Sequence, residues 1–184
     1  MPKTNDKEYD TTKILEQMKA EYWKGLAEEV EEEKGETVQL ITFRIANELY
    51  GIETGYSKEV LKVPKIARVP HTPEWILGVI NLRGSIVSVI DLRLLFGLTA
   101  SELGPSARVV TVSFGETYTG IVVESIVDIV NIPKDSIKPT LETLGGIEKD
   151  FIRGQIPQEK EILIILDIEA ILKSREMEES YGKG

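Results

Sequence analysis

His71 is the one histidine of this 184-residue chain, and by residue type its one candidate general base near neutral pH. It lies between Pro70 and Pro73, with no serine or cysteine nucleophile motif beside it, and reads as a loop residue. Asp91 and Asp167 invite comparison with the paired carboxylates of acid–base catalysis. Each immediately precedes a helical apolar pattern, however, and helix capping explains both. Gly145-Gly146 runs into Ile147-Glu148-Lys149-Asp150 and lacks the Gly-Lys-Ser/Thr ending of a phosphate loop. The chain has no cysteine, which removes thiolate chemistry, disulfides and Cys-based zinc sites. A lone histidine among scattered carboxylates gives no recognisable metal-ligand spacing. The expectation is therefore a protein without catalytic residues, metal or cofactor, whose surfaces perform its function.

Charge narrows the partners. Lys and Arg number 22 against 31 Asp and Glu, a net charge of −9. Residues 1–36 hold 6 basic and 11 acidic groups, so over half of the excess lies in that short segment. A mildly acidic body offers no footprint for a phosphate backbone, and nucleic acid is not expected as a partner. No apolar run approaches the 18 or more residues that would cross a bilayer, and Met1 to Asp10 are polar. These features fit a cytoplasmic protein with no direct membrane insertion.

The elements come from a duplication. Tyr50–Lys65 aligns with Thr119–Lys134 at an offset of 69, with Gly51/Gly120, Ile52/Ile121, Pro64/Pro133 and Lys65/Lys134 identical. Glu59/Asp128, Val60/Ile129 and Val63/Ile132 are conservative pairs. At an offset of 76, Trp75–Gly78 aligns with Phe151–Gly154, and Ile86–Phe96 with Ile162–Leu172. The change of offset places a seven-residue insertion near Thr140 to Lys149. In each copy, period-two apolar patterning predicts five short strands, followed by an Asp-capped short helix. In the first copy, strands are expected over Val38–Ile45, Leu49–Glu53, Glu59–Val63, Ile76–Leu82 and Ile86–Ile90, with a turn at Asn47-Glu48. Short strands at this spacing argue for two small β-barrels, one per copy: residues 37–100 and 105–174. Before them, Ile14, Leu15, Met18, Tyr22, Leu26 and Val30 predict a helix over Thr11 to Lys34, an extension outside the repeat. Residues 1–36 are expected to be partly disordered, and 175–184 to form a flexible tail.

The copies differ where the fourth strand turns into the fifth. Copy one has Gly78-Val79-Ile80-Asn81-Leu82-Arg83-Gly84, and copy two has Gly154-Gln155-Ile156-Pro157-Gln158-Glu159-Lys160. Glycine and the central isoleucine persist, while Asn81, Arg83 and Gly84 do not. An Arg-Gly pair between apolar strands puts a five-donor cation at a tight turn.

The stretch Ile76 to Leu98, "ILGVINLRGSIVSVIDLRLLFGL", resembles the signature of the CheW family of bacterial chemotaxis coupling proteins. Tyr50-Gly51-Ile52, Glu59-Val60 and the two strand–Asp–helix endings resemble it too, so the likeness spans Thr37 to Ser174. It implies a mainly β fold of two SH3-like five-stranded barrels and an adaptor without enzymatic activity. Such a protein bridges the cytoplasmic tips of chemoreceptors and the regulatory domain of the chemotaxis histidine kinase, at membrane receptor arrays. The resemblance places a receptor-binding groove between the barrels, at Glu59, Gly78, Asn81, Arg83, Gly84 and Gly120. It places a kinase contact at Lys138 and Leu141. The rival reading from another class is a ligand-binding β module that uses the crevice between the barrels for a small molecule.

Overall fold

The computed structural model describes residues 16–24, 35–140 and 149–181, with side chains as far as Ser174 except that of Lys149. The chain divides into two units, Met1–Glu36 and Thr37–Gly184. In the first, residues 16–24 form a helix, α1, within the helix that the apolar spacing predicts. The rest of that expected helix, 11–15 and 25–34, lies outside the described residues, as does the Gly145-Gly146 loop.

The second unit contains ten strands: β1 (Thr37–Ile45), β2 (Glu48–Glu53), β3 (Ser57–Lys62), β4 (Ile76–Leu82), β5 (Ser85–Asp91), β6 (Arg108–Phe114), β7 (Thr117–Val123), β8 (Ser125–Pro133), β9 (Ile152–Pro157) and β10 (Ile162–Leu166). Helix α2 (Leu92–Leu95) follows β5, and α3 (Ile168–Tyr181) follows β10. Both begin where capping predicts. The Asp91 carboxylate accepts the Arg93 backbone N–H at 2.9 Å, and that of Asp167 accepts the Ala170 N–H at 2.9 Å.

The strands form two five-stranded SH3-like barrels, but the copies do not fold separately. Barrel I has the order β8-β1-β2-β10-β9 and barrel II the order β3-β6-β7-β5-β4. Each takes two strands from one copy and three from the other, so the contiguous barrels expected over 37–100 and 105–174 are not the ones formed. The exchange follows the internal symmetry: replacing every strand by its repeat partner converts one order into the other. The seam in each barrel is a parallel pair, β2 with β10 and β5 with β7. Alternation of apolar residues fixes which face of a strand is buried, but it is identical for self-pairing and cross-pairing of two similar copies.

The repeated devices agree atom for atom. The Thr42 hydroxyl donates to the Asp128 carbonyl (3.0 Å) and accepts the Asp128 N–H (3.1 Å) at a bulge between β1 and β8. Thr111 does the same with Glu59 between β6 and β3, at 3.2 and 3.1 Å. The hydroxyl occupies the gap that a bulge leaves in the ladder.

The largest core lies between the barrels, where Ile41, Phe43, Ile45, Tyr50 and Ile52 of one pack with Ile90, Val110, Val112 and Ile121 of the other. Smaller cores fill barrel II (Ile80, Val87, Val89, Val109, Val122) and barrel I (Leu40, Leu49, Leu163, Ile165). Burial of each such side chain contributes roughly 1.5–3 kcal/mol, which makes the two barrels one cooperative body.

Candidate functional site: the Arg83 hairpin of barrel II

The β4–β5 connection is the two-residue turn Arg83-Gly84, flanked by the pair Leu82↔Ser85. Arg83 has φ 52° and Gly84 φ 90°, the two positive values of a type I′ turn, whose twist matches that of the strands it joins. Glycine adopts this readily, whereas Arg83 is held there against its steric preference. The side-chain oxygen of Asn81 accepts the Gly84 N–H at 2.9 Å and fixes the turn from within. The Arg83 guanidinium donates to Glu59 of β3 at 3.1 Å. That contact tethers the cation without hiding it, because the Arg83 side chain remains 83% exposed.

The matching hairpin of barrel I is closed differently. Arg44 of β1 donates to both carboxylate oxygens of Glu161, one at 2.8 Å, and to the Asn47 carbonyl at 3.1 Å. This bidentate contact raises the Arg44 pKa and holds the Glu161 carboxyl below its ordinary value. Barrel II has Ser113 and Ser85 at the corresponding positions. The hairpin tip of barrel I has no arginine of its own and is held through Glu161 by Arg44 of β1, whereas that of barrel II presents Arg83 to solvent.

The expected receptor-contact residues separate into two groups. Glu59, Asn81, Arg83 and Gly84 meet at the hairpin through the bonds just described. Gly78 and Gly120 are buried in the same sheet, in one register row: Glu59–Thr111–Gly120–Val89–Gly78. A Cβ on Gly78, at φ 141°, would lie 2.2 Å from the Ala67 carbonyl oxygen, and one on Gly120 would lie 2.6 Å from Val109. Both glycines serve close packing. Gly154 repeats the first device, since its Cβ would lie 2.9 Å from the Lys138 carbonyl oxygen. The Lys138 backbone bonds Gln155 in both directions, at 2.9 and 2.8 Å, leaving the residue exposed beside barrel I. Leu141 lies outside the described residues.

Sequence reasoning missed the outward faces of the edge strands. On β3, Lys58, Val60 and Lys62 are exposed, and on β8 so are Val127, Ile129 and Asn131. Val60 ends a register row that runs through the fully buried Val110, Ile121 and Ile90 to the half-buried Ile76. Ile129 ends the corresponding row through Ile41 and Ile52. The conservative pair Val60/Ile129 was the available signal.

His71 sits exposed in its loop at φ 60°. Among the described residues, no three His, Cys, Asp or Glu side chains gather as metal ligands, and no helix is long and apolar enough to cross a membrane.

The CheW-like domain model matches residues 39–176, three quarters of the chain and nearly all of the second unit. The chain belongs to the CheW-like family. Its CheW-like domain is 34% identical over 145 residues to the chemotaxis protein CheW of Klebsiella aerogenes, covering 78% of this chain and 87% of that protein. It is 34% identical over 143 residues to CheW of Helicobacter pylori, covering 78% and 86%. The crystal structure of the scaffolding protein TtCheW from Thermoanaerobacter tengcongensis superposes with a TM-score of 0.67 at 31% identity, covering 71% of this chain and 89% of that one. The CheW-like match begins after α1, so the first unit is an addition to the family domain.

Proposed function

We propose that this chain is a non-enzymatic chemotaxis adaptor in the cytoplasm, coupling chemoreceptor cytoplasmic tips to the chemotaxis histidine kinase at receptor arrays. One observation carries the reading: of two symmetry-related hairpins, only that of barrel II presents an exposed arginine on a turn fixed by Asn81 and oriented by Glu59. A scaffold needing only a hairpin tip is already satisfied by the internally paired version in barrel I. Arg83 would bind a carboxylate or carbonyl of a receptor helix through charge-assisted hydrogen bonds, with Gly78 and Gly120 holding the sheet beneath it. The Lys138 region of barrel I, with Leu141, would meet the kinase regulatory domain. Two separate surfaces let one chain hold both partners.

The small-molecule reading is less well supported, because the space between the barrels is filled by side chains such as Phe43, Tyr50 and Ile90, all at 0% exposure. Isothermal titration of the full chain against a soluble receptor cytoplasmic fragment, and separately against the kinase regulatory domain, tests the proposal. Micromolar or tighter binding to each is expected. Failure to bind the receptor fragment would overturn it.

A further inference from the structure

The two edge strands, β3 and β8, are related by the internal repeat and share the threonine-filled bulge, a following proline (Pro64, Pro133) and an outward branched residue (Val60, Ile129). They differ in charge. Lys58 and Lys62 of β3 correspond to Val127 and Asn131 of β8, and Arg68 beyond β3 corresponds to Pro139, because the Ala67–Val79 bridge matches Lys138–Gln155. Only Lys65 is matched, by Lys134. Lysines on an edge strand discourage pairing with other sheets, but β8 has the same bulge and proline without them. Edge protection therefore does not account for their placement on β3 alone.

Elsewhere in the domain, four cations besides Arg83 have carboxylate partners, while the exposed Lys138 and Lys160 have none among the described residues. Arg44 pairs with Glu161, Arg93 with Asp91 and Glu124, Arg153 with Glu53, and Lys173 with Glu169. Lys58, Lys62, Lys65 and Arg68 are all exposed, and none has an ion-pair partner among the described residues. In a chain of net charge −9, four unpaired cations along one strand and its continuation mark a surface complementary to negative charge. Glu59, which holds Arg83, lies on the same strand between Lys58 and Val60, so the stripe and the hairpin are neighbours along β3.

We infer that the outward face of β3 is a second part of the receptor contact, a cationic stripe that receives an acidic helix face of the receptor tip, with Val60 against an apolar residue between its carboxylates. This rests on the receptor reading above and adds the chemistry of the partner surface. The uncharged β8 face is its counterpart without that specificity. Exposed charges of this kind act mainly on encounter rate, and their effect is screened by salt.

The test measures affinity of the full chain for a soluble receptor cytoplasmic fragment at about 50 mM and about 500 mM salt. Lys58→Glu and Lys62→Glu are compared with wild type, and Lys160→Glu, on the exposed hairpin of barrel I, is the charge-matched control. Each β3 variant should bind about three- to tenfold more weakly at low salt and within about twofold of wild type at high salt, with the control unchanged. Lys58→Gln/Lys62→Gln gives the same reading without reversed charge if a Glu variant fails to fold. Wild-type binding with all β3 variants within twofold at low salt overturns this inference alone, as does an equal weakening at both salts. No wild-type binding overturns the receptor reading and this inference with it.

Discussion

Replacing Arg83 with alanine should separate binding from stability. In the free protein its guanidinium makes one 3.1 Å contact with Glu59 and the side chain is 83% exposed. An ion pair so open to solvent is worth about 0–1 kcal/mol. For a domain of this size, 1 kcal/mol shifts the melting temperature by roughly 2–4 °C, so Arg83→Ala should melt within about 4 °C of wild type. The turn itself remains, because its geometry is set by Gly84 and by the Asn81 bond, neither of which involves the guanidinium. Alanine at φ 52° is no better suited to that backbone than arginine, so no compensating stabilisation is expected. In the complex, removing a charge-assisted hydrogen bond from a desolvated interface costs about 1–3 kcal/mol, or roughly five- to 150-fold in affinity. Differential scanning calorimetry and receptor-fragment titration on the same preparation provide both numbers. A drop in stability as large as the drop in binding would refute the reasoning, because Arg83 would then be a structural residue. Unchanged affinity would refute it as well.

Two further predictions concern the scaffold. Arg93 is buried with Asp91, which it bonds at 2.8 and 3.0 Å, and it also holds Glu124 and the Ser101 carbonyl; Arg93→Ala should cost about 3–5 kcal/mol in urea denaturation, because Asp91 is left as an uncompensated buried charge, and a cost below about 1 kcal/mol would show that the pair is dispensable. Glu161 is held below the usual carboxylate range by Arg44, so its stabilising contribution is complete above the unfolded value near 4.5 and fades as pH falls through the lower folded value. Wild type should therefore exceed Glu161→Gln in urea midpoint at pH 7, with the gap closing below about pH 4.5; a gap that widens on acidification would contradict the pairing.

Much of this fold was legible because its rules are local. Period-two alternation placed β4 at its observed bounds, and the aspartates before Leu92 and Ile168 marked the helix starts. The β1–β2 turn falls one residue earlier than expected: Ala46 and Asn47, with φ 49° and 67°, form the loop, and Glu48 already belongs to β2. Asparagine tolerates a positive φ, and a turn matching strand twist needs two such residues in succession. Barrel composition was hidden, because strand exchange between similar copies leaves no trace in local patterning. At the site, Arg83 stood out by comparison of the copies, and its tether to Glu59 followed only when β3 and the hairpin were brought together across 24 residues of sequence. The resemblance grouped Gly78 and Gly120 with the contact residues, while the backbone shows what they do: each admits a neighbouring atom where a side chain would collide. Lys58 and Lys62 were passed over because exposed lysines on a short strand carry no signal until the unpaired set is seen along one edge.

The central claim is that separate surfaces of one chain hold two partners at once. Sedimentation of receptor-fragment-bearing vesicles with the isolated kinase regulatory domain tests it most directly, with and without this protein. The kinase domain should enter the pellet only when the adaptor is added, and Arg83→Ala should reduce the pelleted kinase and adaptor together. If each partner instead displaces the other from the adaptor, the two-surface account is wrong.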